Sequence, residues 1–313
     1  MNESNASLKP ITVINGDGPA ERALRAVAYA QGFFARFGLD VRYHNQTDGK
    51  KALAALLAGA GDVCVQIGFG PALPAIEAGR SLKILAGANL RAVHVVFARP
   101  EEIKSVRDLQ GRTVGIGSPG ALTHQLMTAV LRKHGADPTK VKFVTVGNSA
   151  MVFKAVVAGE VEAGLGEIDN YTQQEQLGVH SLPDGDLWNE LPEFTNQASY
   201  ALDATIEAKR DFIVRALAAS ACLYRYVCSP PSRQCYLAAY QTAMPDAEPV
   251  EAETTWNFYQ QRKPFATNLL LGEERIRYMQ ELNVAMGLQS RILPFDQVAD
   301  MSLARDALSL ISG

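Results

Sequence analysis

Short apolar runs alternate with longer segments of helical periodicity along the first two-thirds of the chain. The short runs predict strands, and apolar residues that recur every three or four positions predict helices. The predicted strands are Thr12–Ile14, Leu39–Tyr43, Val63–Ile67, Leu82–Ala86, Thr113–Ile116, Val141–Val146 and Ala163–Gly166. The predicted helices are Ala20–Phe37, Lys50–Ala58, Pro71–Ala78, Ala121–His134 and Ala150–Ala158. This alternation is typical of an α/β protein with largely parallel sheets.

The last third of the chain has a different pattern. From Ala204 to Gly313 nearly every segment has helical periodicity, interrupted by prolines. Within the first part, Gly38 is the expected end of the helix that begins near Ala20, because a left-handed terminal residue is least strained as glycine.

One segment recurs about 100 residues later. Leu57–Val63 (LAGAGDV) and Val157–Ala163 (VAGEVEA) each combine a helix end, a glycine turn, an acidic residue and the start of a strand. A repeat of this kind indicates two α/β lobes of similar design rather than one continuous sheet. Coincidence is the alternative, since alanine–glycine turns after helices are common.

Length and charge narrow the class of protein. A chain of 313 residues is long enough for two domains, because single cores usually stop growing near ~250–300 residues. The net charge is −3 and the charged residues are evenly spread, which argues against nucleic-acid binding. No apolar run approaches the ~20 residues of a membrane helix.

The beginning of the chain leaves two locations open. Met1–Pro10 is polar and lacks the apolar stretch of a secretory signal. Either the protein is cytoplasmic, or this chain begins after a signal peptide that was removed.

The four cysteines show no spacing typical of a zinc or thioredoxin-type site. Cys222, Cys228 and Cys235 cluster late in the chain. A Cys228–Cys235 or Cys222–Cys235 disulfide is one interpretation for an oxidising compartment, and buried or half-buried thiols are the other. The five histidines have no close ligand spacing, so neither a metal nor a cofactor is expected.

Two segments resemble a known family. Ala30–Val41 (AQGFFARFGLDV) resembles the GFF…GLDV segment of nitrate/sulfonate/taurine-type ABC-transporter substrate-binding proteins, and Ser105–Gly115 (SVRDLQGRTVG) is similar to the segment that opens their second lobe. The two repeated units also fall where that family has them. Its relatives include pyrimidine-precursor-binding proteins and a few enzymes.

The resemblance implies a two-lobed type II periplasmic-binding-protein fold with a helical C-terminal region. Lobe one is then residues 11–90 plus 203–313, and lobe two is residues 93–197. The crossings between them are expected near residues 89–98 and 196–202.

In open parallel sheets, ligands bind at the carboxyl ends of the strands. Polar and glycine residues at these ends give a candidate site without reference to the family. The candidates are Asn15, Gly16, Asp17, Asp48, Gln66, Gly68, Phe69, Ser118, Pro119, Gly120, Thr123, Asn148, Ser149, Glu167 and Tyr171.

Three of these turns lead into predicted helices, at Gly68–Pro71, Gly117–Gly120 and Gly147–Ser149. Free N–H groups and the helix dipole make such turns anion sites, and simple helix capping by Ser118 and Ser149 is the alternative. The carboxylates of Asp17, Asp48 and Glu167 would repel an uncompensated anion. A zwitterion, an amine-bearing heterocycle or a neutral aromatic suits them better.

Three functions remain from the sequence. The leading hypothesis is the substrate-binding component of an ABC importer, periplasmic or lipid-anchored. It would be a monomer that closes on a small organic solute, such as a sulfonate, an aromatic acid or a pyrimidine, and delivers it to a permease. The second is an enzyme on the same fold with Cys64 and His44 or His124 at its cleft, although a buried cysteine is more often part of a core. The third is a cytoplasmic ligand-sensing domain.

Overall fold

A computed structural model describes residues 8–99 and 101–312. The chain forms two five-stranded sheets. Sheet one has the order β2-β1-β3-β10-β4, and sheet two has the order β7-β6-β8-β5-β9. The strands of sheet one are β1 (Lys9–Gly16), β2 (Leu39–Gln46), β3 (Val63–Ile67), β4 (Leu82–Gly87) and β10 (Ala198–Leu202). Those of sheet two are β5 (His94–Ala98), β6 (Thr113–Ile116), β7 (Lys142–Thr145), β8 (Ala163–Glu167) and β9 (His180–Asp186).

Thirteen helices surround these sheets in the part of the chain that the structure describes. The first seven are α1 (Pro19–Ala30), α2 (Phe33–Arg36), α3 (Gly49–Leu57), α4 (Ala72–Glu77), α5 (Leu122–Lys133), α6 (Ser149–Ala158) and α7 (Leu187–Glu190). The C-terminal six are α8 (Asp203–Val227), α9 (Arg233–Ala243), α10 (Pro249–Arg262), α11 (Glu273–Ala285), α12 (Phe295–Val298) and α13 (Ser302–Ser312). The predicted helical tail is therefore confirmed.

Both sheets are mixed, each with one reversed strand. β10 is antiparallel to β3 and β4, and β5 is antiparallel to β8 and β9, whereas β1 and β6 pair with their neighbours in parallel. The reversed strands are those that follow the two passages of the chain between sheets. Neither β5 nor β10 was predicted as a strand, because both fall in segments assigned to the crossings.

The chain passes between the sheets over residues 88–93 and 191–197. The two passages lie side by side, since Ala88 N donates to Gln197 O at 3.1 Å and Gln197 N donates to Asn89 O at 2.9 Å. β5 and β10 begin at these passages and run opposite to their neighbours. Both passages therefore lie at the edge of the sheet where the neighbouring strands end. We call this pair of segments the hinge ribbon.

The repeated segments fold alike. Gly59 and Gly159 both end a helix with φ of +73° and +76°. The acidic residue three positions after each glycine bonds to a neighbouring strand: Asp62 Oδ2 accepts from Thr12 N of β1 at 2.8 Å, and Glu162 Oε2 accepts from Thr113 N of β6 at 2.8 Å. The predicted duplication of design is confirmed, and its acidic residues are structural.

One predicted helix is wrong. The segment Ala20–Phe37 contains two helices, because α1 ends at Ala30 and α2 begins at Phe33. Gly32 between them has φ of +61°, a left-handed conformation that stops a helix and that glycine adopts at little cost. Gly38, with φ of +72°, ends α2 as predicted.

The C-terminal helices contact both sheets and their flanking elements. α8 and α13 pack against strands of sheet one, and α9 packs against α1. α10 packs against the 3₁₀ turn Ile168–Thr172 that follows β8, and α11 packs against α5. No single helix among the described residues has the length and apolar composition of a membrane span; the bent pair formed by α8 and Pro230–Ala243 meets these criteria only when taken together.

Candidate functional site

A cavity lies between the carboxyl edges of the two sheets and is closed on one side by the hinge ribbon. It contains about 720 Å³ of empty space, part of it continuous with solvent. Sheet one, sheet two, the hinge ribbon and the C-terminal helices all contribute to its wall.

Nine of the fifteen predicted site residues lie in the cavity wall: Gly16, Asp17, Asp48, Gln66, Gly68, Thr123, Asn148, Ser149 and Glu167. The other six lie outside it: Asn15, Phe69, Ser118, Pro119, Gly120 and Tyr171. Phe69 is fully buried in the core, and Tyr171 packs against Phe97 and Trp188. Asn15 Nδ2 donates to Val65 O at 2.7 Å, so its side chain joins β1 to β3.

The two aspartates of lobe one already have partners. Asp17 forms ion pairs with Arg22 at 3.0 Å and Arg25 at 3.3 Å. Asp48 caps α3 by accepting from Lys50 N and Lys51 N with Oδ1. The second oxygen of Asp48 accepts from the Ser118 hydroxyl at 2.8 Å. Ser118 therefore joins the lobes and is not part of the cavity wall.

Some N–H groups of the predicted anion-binding turns of lobe two have partners within the protein. Gly117 N donates to Thr123 Oγ1 at 2.7 Å, and Gly120 N donates to His124 Nδ1 at 2.9 Å. Asn148 caps α6 by accepting from Met151 N at 3.0 Å. Because these three donors are paired within the protein, they are not free to bind an anion.

Glu21 and Glu167 face each other across the cavity. A Cβ atom built on Gly18 would lie 2.5 Å from Glu21 Oε2 and 3.7 Å from Glu167 Oε1, so both carboxyl groups lie close to Gly18. Gln197 Nε2 donates to Glu21 at 2.6 Å, and the Ser149 hydroxyl donates to Glu167 at 2.6 Å. Within the described ranges, neither glutamate has a lysine, arginine or histidine partner within 4.0 Å.

This environment keeps Glu167 protonated near neutral pH. Its side chain borders the cavity but lies deep in the protein, and burial raises its pKa to about 8. The negative charges of Glu21 and Asp169 act in the same direction, and the hydrogen bond from Ser149 opposes them. A raised pKa in a cleft, with identified neighbouring charges, is typical of a functional group.

Three polar atoms at the cavity have no hydrogen-bond partner among the described residues. They are His94 Nδ1, Asn196 Oδ1 and Gln197 Oε1. His94 opens β5 opposite Glu167 in the ladder, and burial lowers its pKa to about 4, so the imidazole is neutral. Buried polar atoms are normally paired, and a ligand with N–H or O–H groups would pair the two amide oxygens.

Much of the cavity wall was not predicted from the sequence. Glu21 was not among the predicted site residues, although an acid in the first turn after the first strand was the available signal. Asn89, Asn196 and Gln197 come from the hinge ribbon, and Tyr259 and Phe265 come from the C-terminal region. The last two carry no local signal, since only the packing of α10 brings them to the cavity.

The charged side chains of the cavity wall are all acidic. The wall contains Asp17, Glu21, Asp48 and Glu167 but no lysine or arginine among the residues that the structure describes. No group of three or more His, Cys, Asp or Glu in those residues is placed to hold a metal ion.

Cys64 lies outside the cavity wall. Its side chain is fully buried in β3, and burial raises the pKa of its thiol to about 12. A thiol with this pKa is not a nucleophile at neutral pH, so the enzyme hypothesis loses the residue on which it depended. Cys222, Cys228 and Cys235 are free thiols in this structure, without either of the disulfides considered above.

Comparison with known proteins agrees with this architecture. The model of the NMT1/THI5-like family matches residues 23–234. No curated protein sequence matches the chain.

Three solved structures share the fold. The periplasmic nitrate-binding protein NrtA of Synechocystis PCC 6803 has a TM-score of 0.78 and 14% identity, covering 97% of this chain and 89% of its own. The periplasmic aliphatic sulphonate binding protein SsuA of Escherichia coli has a TM-score of 0.72 and 20% identity, covering 94% and 92%. The desulfurization enzyme DszB has a TM-score of 0.62 and 13% identity, covering 96% and 99%. The predicted periplasmic-binding-protein fold is confirmed.

Proposed function

The chain belongs to the NMT1/THI5-like family, and from this premise we propose that it is the substrate-binding component of an ABC-type importer. It captures a small organic solute in the cavity between its lobes and releases it to a membrane permease. We place it at the cell envelope, periplasmic or lipid-anchored, and we propose that it acts as a monomer.

The observation that carries this proposal is the position of the cavity. It lies where two sheets, connected by only two chain passages, bring their carboxyl edges together. Such a pair of passages works as a hinge, so opening admits a solute and closing surrounds it. Nitrate- and sulphonate-binding proteins share this architecture, which supports the class of function but not the identity of the solute.

The contacts between the lobes support a closed arrangement. Besides the Ser118–Asp48 hydrogen bond, Gln125 Nε2 of α5 donates to Asn283 Oδ1 of α11 at 2.7 Å. Asn283 Nδ2 in turn donates to Gly70 O at 2.9 Å. These bonds lie at the contact between the lobes, and a solute that favours the closed form would favour their formation.

A ligand screen followed by two measurements tests the proposal. Solutes that raise the melting temperature are taken to small-angle X-ray scattering and to mass spectrometry after prolonged incubation. We expect the radius of gyration to fall on binding and the solute to be recovered unchanged. Conversion of the solute to a product would support an enzyme instead, and a bound solute that leaves the shape of an open protein unchanged would contradict the hinge.

A further inference from the structure

We propose that Glu21 and Glu167 recognise the positively charged, N–H-donating group of a small organic cation. This inference rests on the proposed binding function and specifies its ligand. The cation would lie between the two carboxyl groups, with its apolar body against the neighbouring hydrophobic wall. Structural neighbours that bind nitrate and sulphonate make an anion the obvious expectation, and the charge of this cavity argues against it.

Geometry is the first support. Both carboxyl groups lie beside Gly18 and line the same cavity. One ligand group can therefore contact Glu21 from lobe one and Glu167 from lobe two together. Hydrogen bonds between a cationic N–H donor and a carboxylate are short and strong, so such a group would also draw the lobes together.

The second support comes from the partners of the acidic side chains in the cavity wall. The negative charges of Asp17 are matched by Arg22 and Arg25, and Asp48 accepts three hydrogen bonds. Arg25 also acts electrostatically on Glu21, but its N–H groups are bonded to Asn15, Gly16 and Asp17. Asp48, Glu21 and Glu167 all lack a direct cationic partner among the described residues, but only Glu21 and Glu167 act on each other, since the charge on Glu21 raises the pKa of Glu167.

The remaining wall fits the rest of such a ligand. Asn196 Oδ1 and Gln197 Oε1 are unpartnered acceptors, suited to further N–H groups. Leu24, Val93, Tyr259 and Phe265 supply apolar and aromatic surface. A cation beside an aromatic face gains additional electrostatic attraction.

Binding of a cation should release a proton. Glu167 faces Glu21 on α1, Asp169 on the following 3₁₀ turn and His94 on β5, with the neutral hydroxyls of Ser149, Tyr236 and Tyr259 nearby. In the empty cavity burial and the charges on Glu21 and Asp169 keep Glu167 protonated at neutral pH. A bound cation stabilises its carboxylate and expels the proton, so affinity for the cation should rise with pH up to about 8.

Three probes of one shape test the charge preference. Benzamidinium, benzamide and benzoate are nearly isosteric and carry positive, zero and negative charge. By calorimetry at neutral pH we expect the order of affinity to be benzamidinium, benzamide, benzoate. Benzoate that binds as tightly as benzamidinium, or benzamidinium that fails to bind at millimolar concentration, would overturn the proposal.

Matched variants test whether Glu21 and Glu167 are the source of the preference for a cation. Glu21→Gln and Glu167→Gln should each lower the affinity for benzamidinium roughly tenfold or more. Glu207→Gln, on the exposed side of α8, should bind benzamidinium as tightly as the parent protein does. Calorimetry in phosphate and in Tris measures proton release, which should disappear in Glu167→Gln. Unchanged affinity in both cavity variants, with folding verified by circular dichroism, would show that the pair is not the recognition site.

The outcomes separate this inference from the importer proposal. If benzoate binds best and lowers the radius of gyration in scattering, the importer proposal stands and the proposal of a cationic ligand is wrong. If benzamidinium binds through both glutamates without closure of an open protein, the recognition site stands and the hinge mechanism fails.

Discussion

At the residue scale, burial decides which groups can react and which can titrate. Glu167 and Cys64 both lie deep in the protein, and burial raises both pKa values, to about 8 and about 12. The consequences differ, because Glu167 borders the cavity whereas Cys64 is sealed within β3. Glu167 can therefore exchange a proton for a ligand, and Cys64 contributes only to packing.

The stability of the ligand-free protein should fall as pH rises from 6 to 8. The folded pKa of Glu167, about 8, exceeds its usual value of 4.5, so the folded state holds the proton more tightly and loses this advantage as pH approaches 8. We expect a loss on the order of 1 kcal/mol or more, at ~1.4 kcal/mol per pKa unit. Urea unfolding at several pH values measures it.

Glu167→Gln is the matched test, since the amide does not ionise. In this variant the decline between pH 6 and 8 should be much smaller. Asp169, whose pKa burial raises to about 6, contributes mainly below this window. An identical pH dependence in parent and variant would mean that Glu167 ionises normally.

Replacement of Cys64 should affect stability and not function. Cys64→Ser places a hydroxyl in an apolar strand and should cost about 1–3 kcal/mol, while affinity for a solute stays within a few-fold of the parent. Denaturant unfolding and calorimetry check the two parts. Loss of binding in a correctly folded variant would return Cys64 to the functional site.

At the scale of the element, the repeated α–β unit shows that the same arrangement of helix end, glycine turn and acidic residue occurs beside both sheets. Gly59 and Gly159 end helices in the left-handed conformation, and the acidic side chain three residues later bonds to the N–H group of a neighbouring strand. Asp62 also pairs with Lys209 at 2.7 Å and Glu162 with Arg112 at 2.9 Å. These acidic residues hold strands in register and take no part in the cavity.

Asp62→Ala and Glu162→Ala should therefore destabilise the protein by similar amounts. Each removes a charged acceptor from a backbone N–H group, a loss of about 1.5–3 kcal/mol. Because the residues belong to different sheets, the double variant should lose close to the sum of both effects. Urea unfolding measures the free energies, and solute affinity serves as the control, since neither residue lines the cavity.

At the scale of the whole molecule, small residues at the contact between the lobes permit their close approach. A Cβ atom built on Gly68 would lie 3.1 Å from Leu122 Cβ, and one on Gly70 would lie 2.1 Å from the Gln125 amide. Gln125 belongs to lobe two and is bonded to Asn283 of α11. The closed form thus depends on the absence of two side chains.

Gly70→Ala should hinder closure without altering the wall of the cavity. The new methyl group displaces the Gln125 amide from Asn283, so we expect affinity to fall several-fold, mainly through faster release of the solute. Surface plasmon resonance measures the rates, and scattering measures the radius of gyration of the occupied protein. Gly70→Ala combined with Gln125→Ala removes the clash and should restore closure in part; an affinity unchanged by Gly70→Ala alone would contradict this role.

The sequence by itself determined the features that depend on neighbouring residues. Helix ends at Gly38 and Gly159, the repeated α–β unit and the helical tail follow from local backbone preference and periodicity, which short segments express wherever they lie. The edge of the sheets that forms the site was also predictable, because parallel strands present their carboxyl ends together. Nine of the predicted residues lie in the cavity wall for this reason.

Only the tertiary structure decided which of those side chains face the ligand and which face the protein. Ser118 bonds to Asp48, and Thr123 accepts from Gly117, so the turn with the strongest local signal is occupied by protein partners. The opposition of Glu21 and Glu167 depends on how the two lobes sit together, and Tyr259 and Phe265 reach the cavity through the packing of the C-terminal region. Contacts between residues distant in the chain depend on how whole elements pack, and periodicity within any one segment carries no information about its partner.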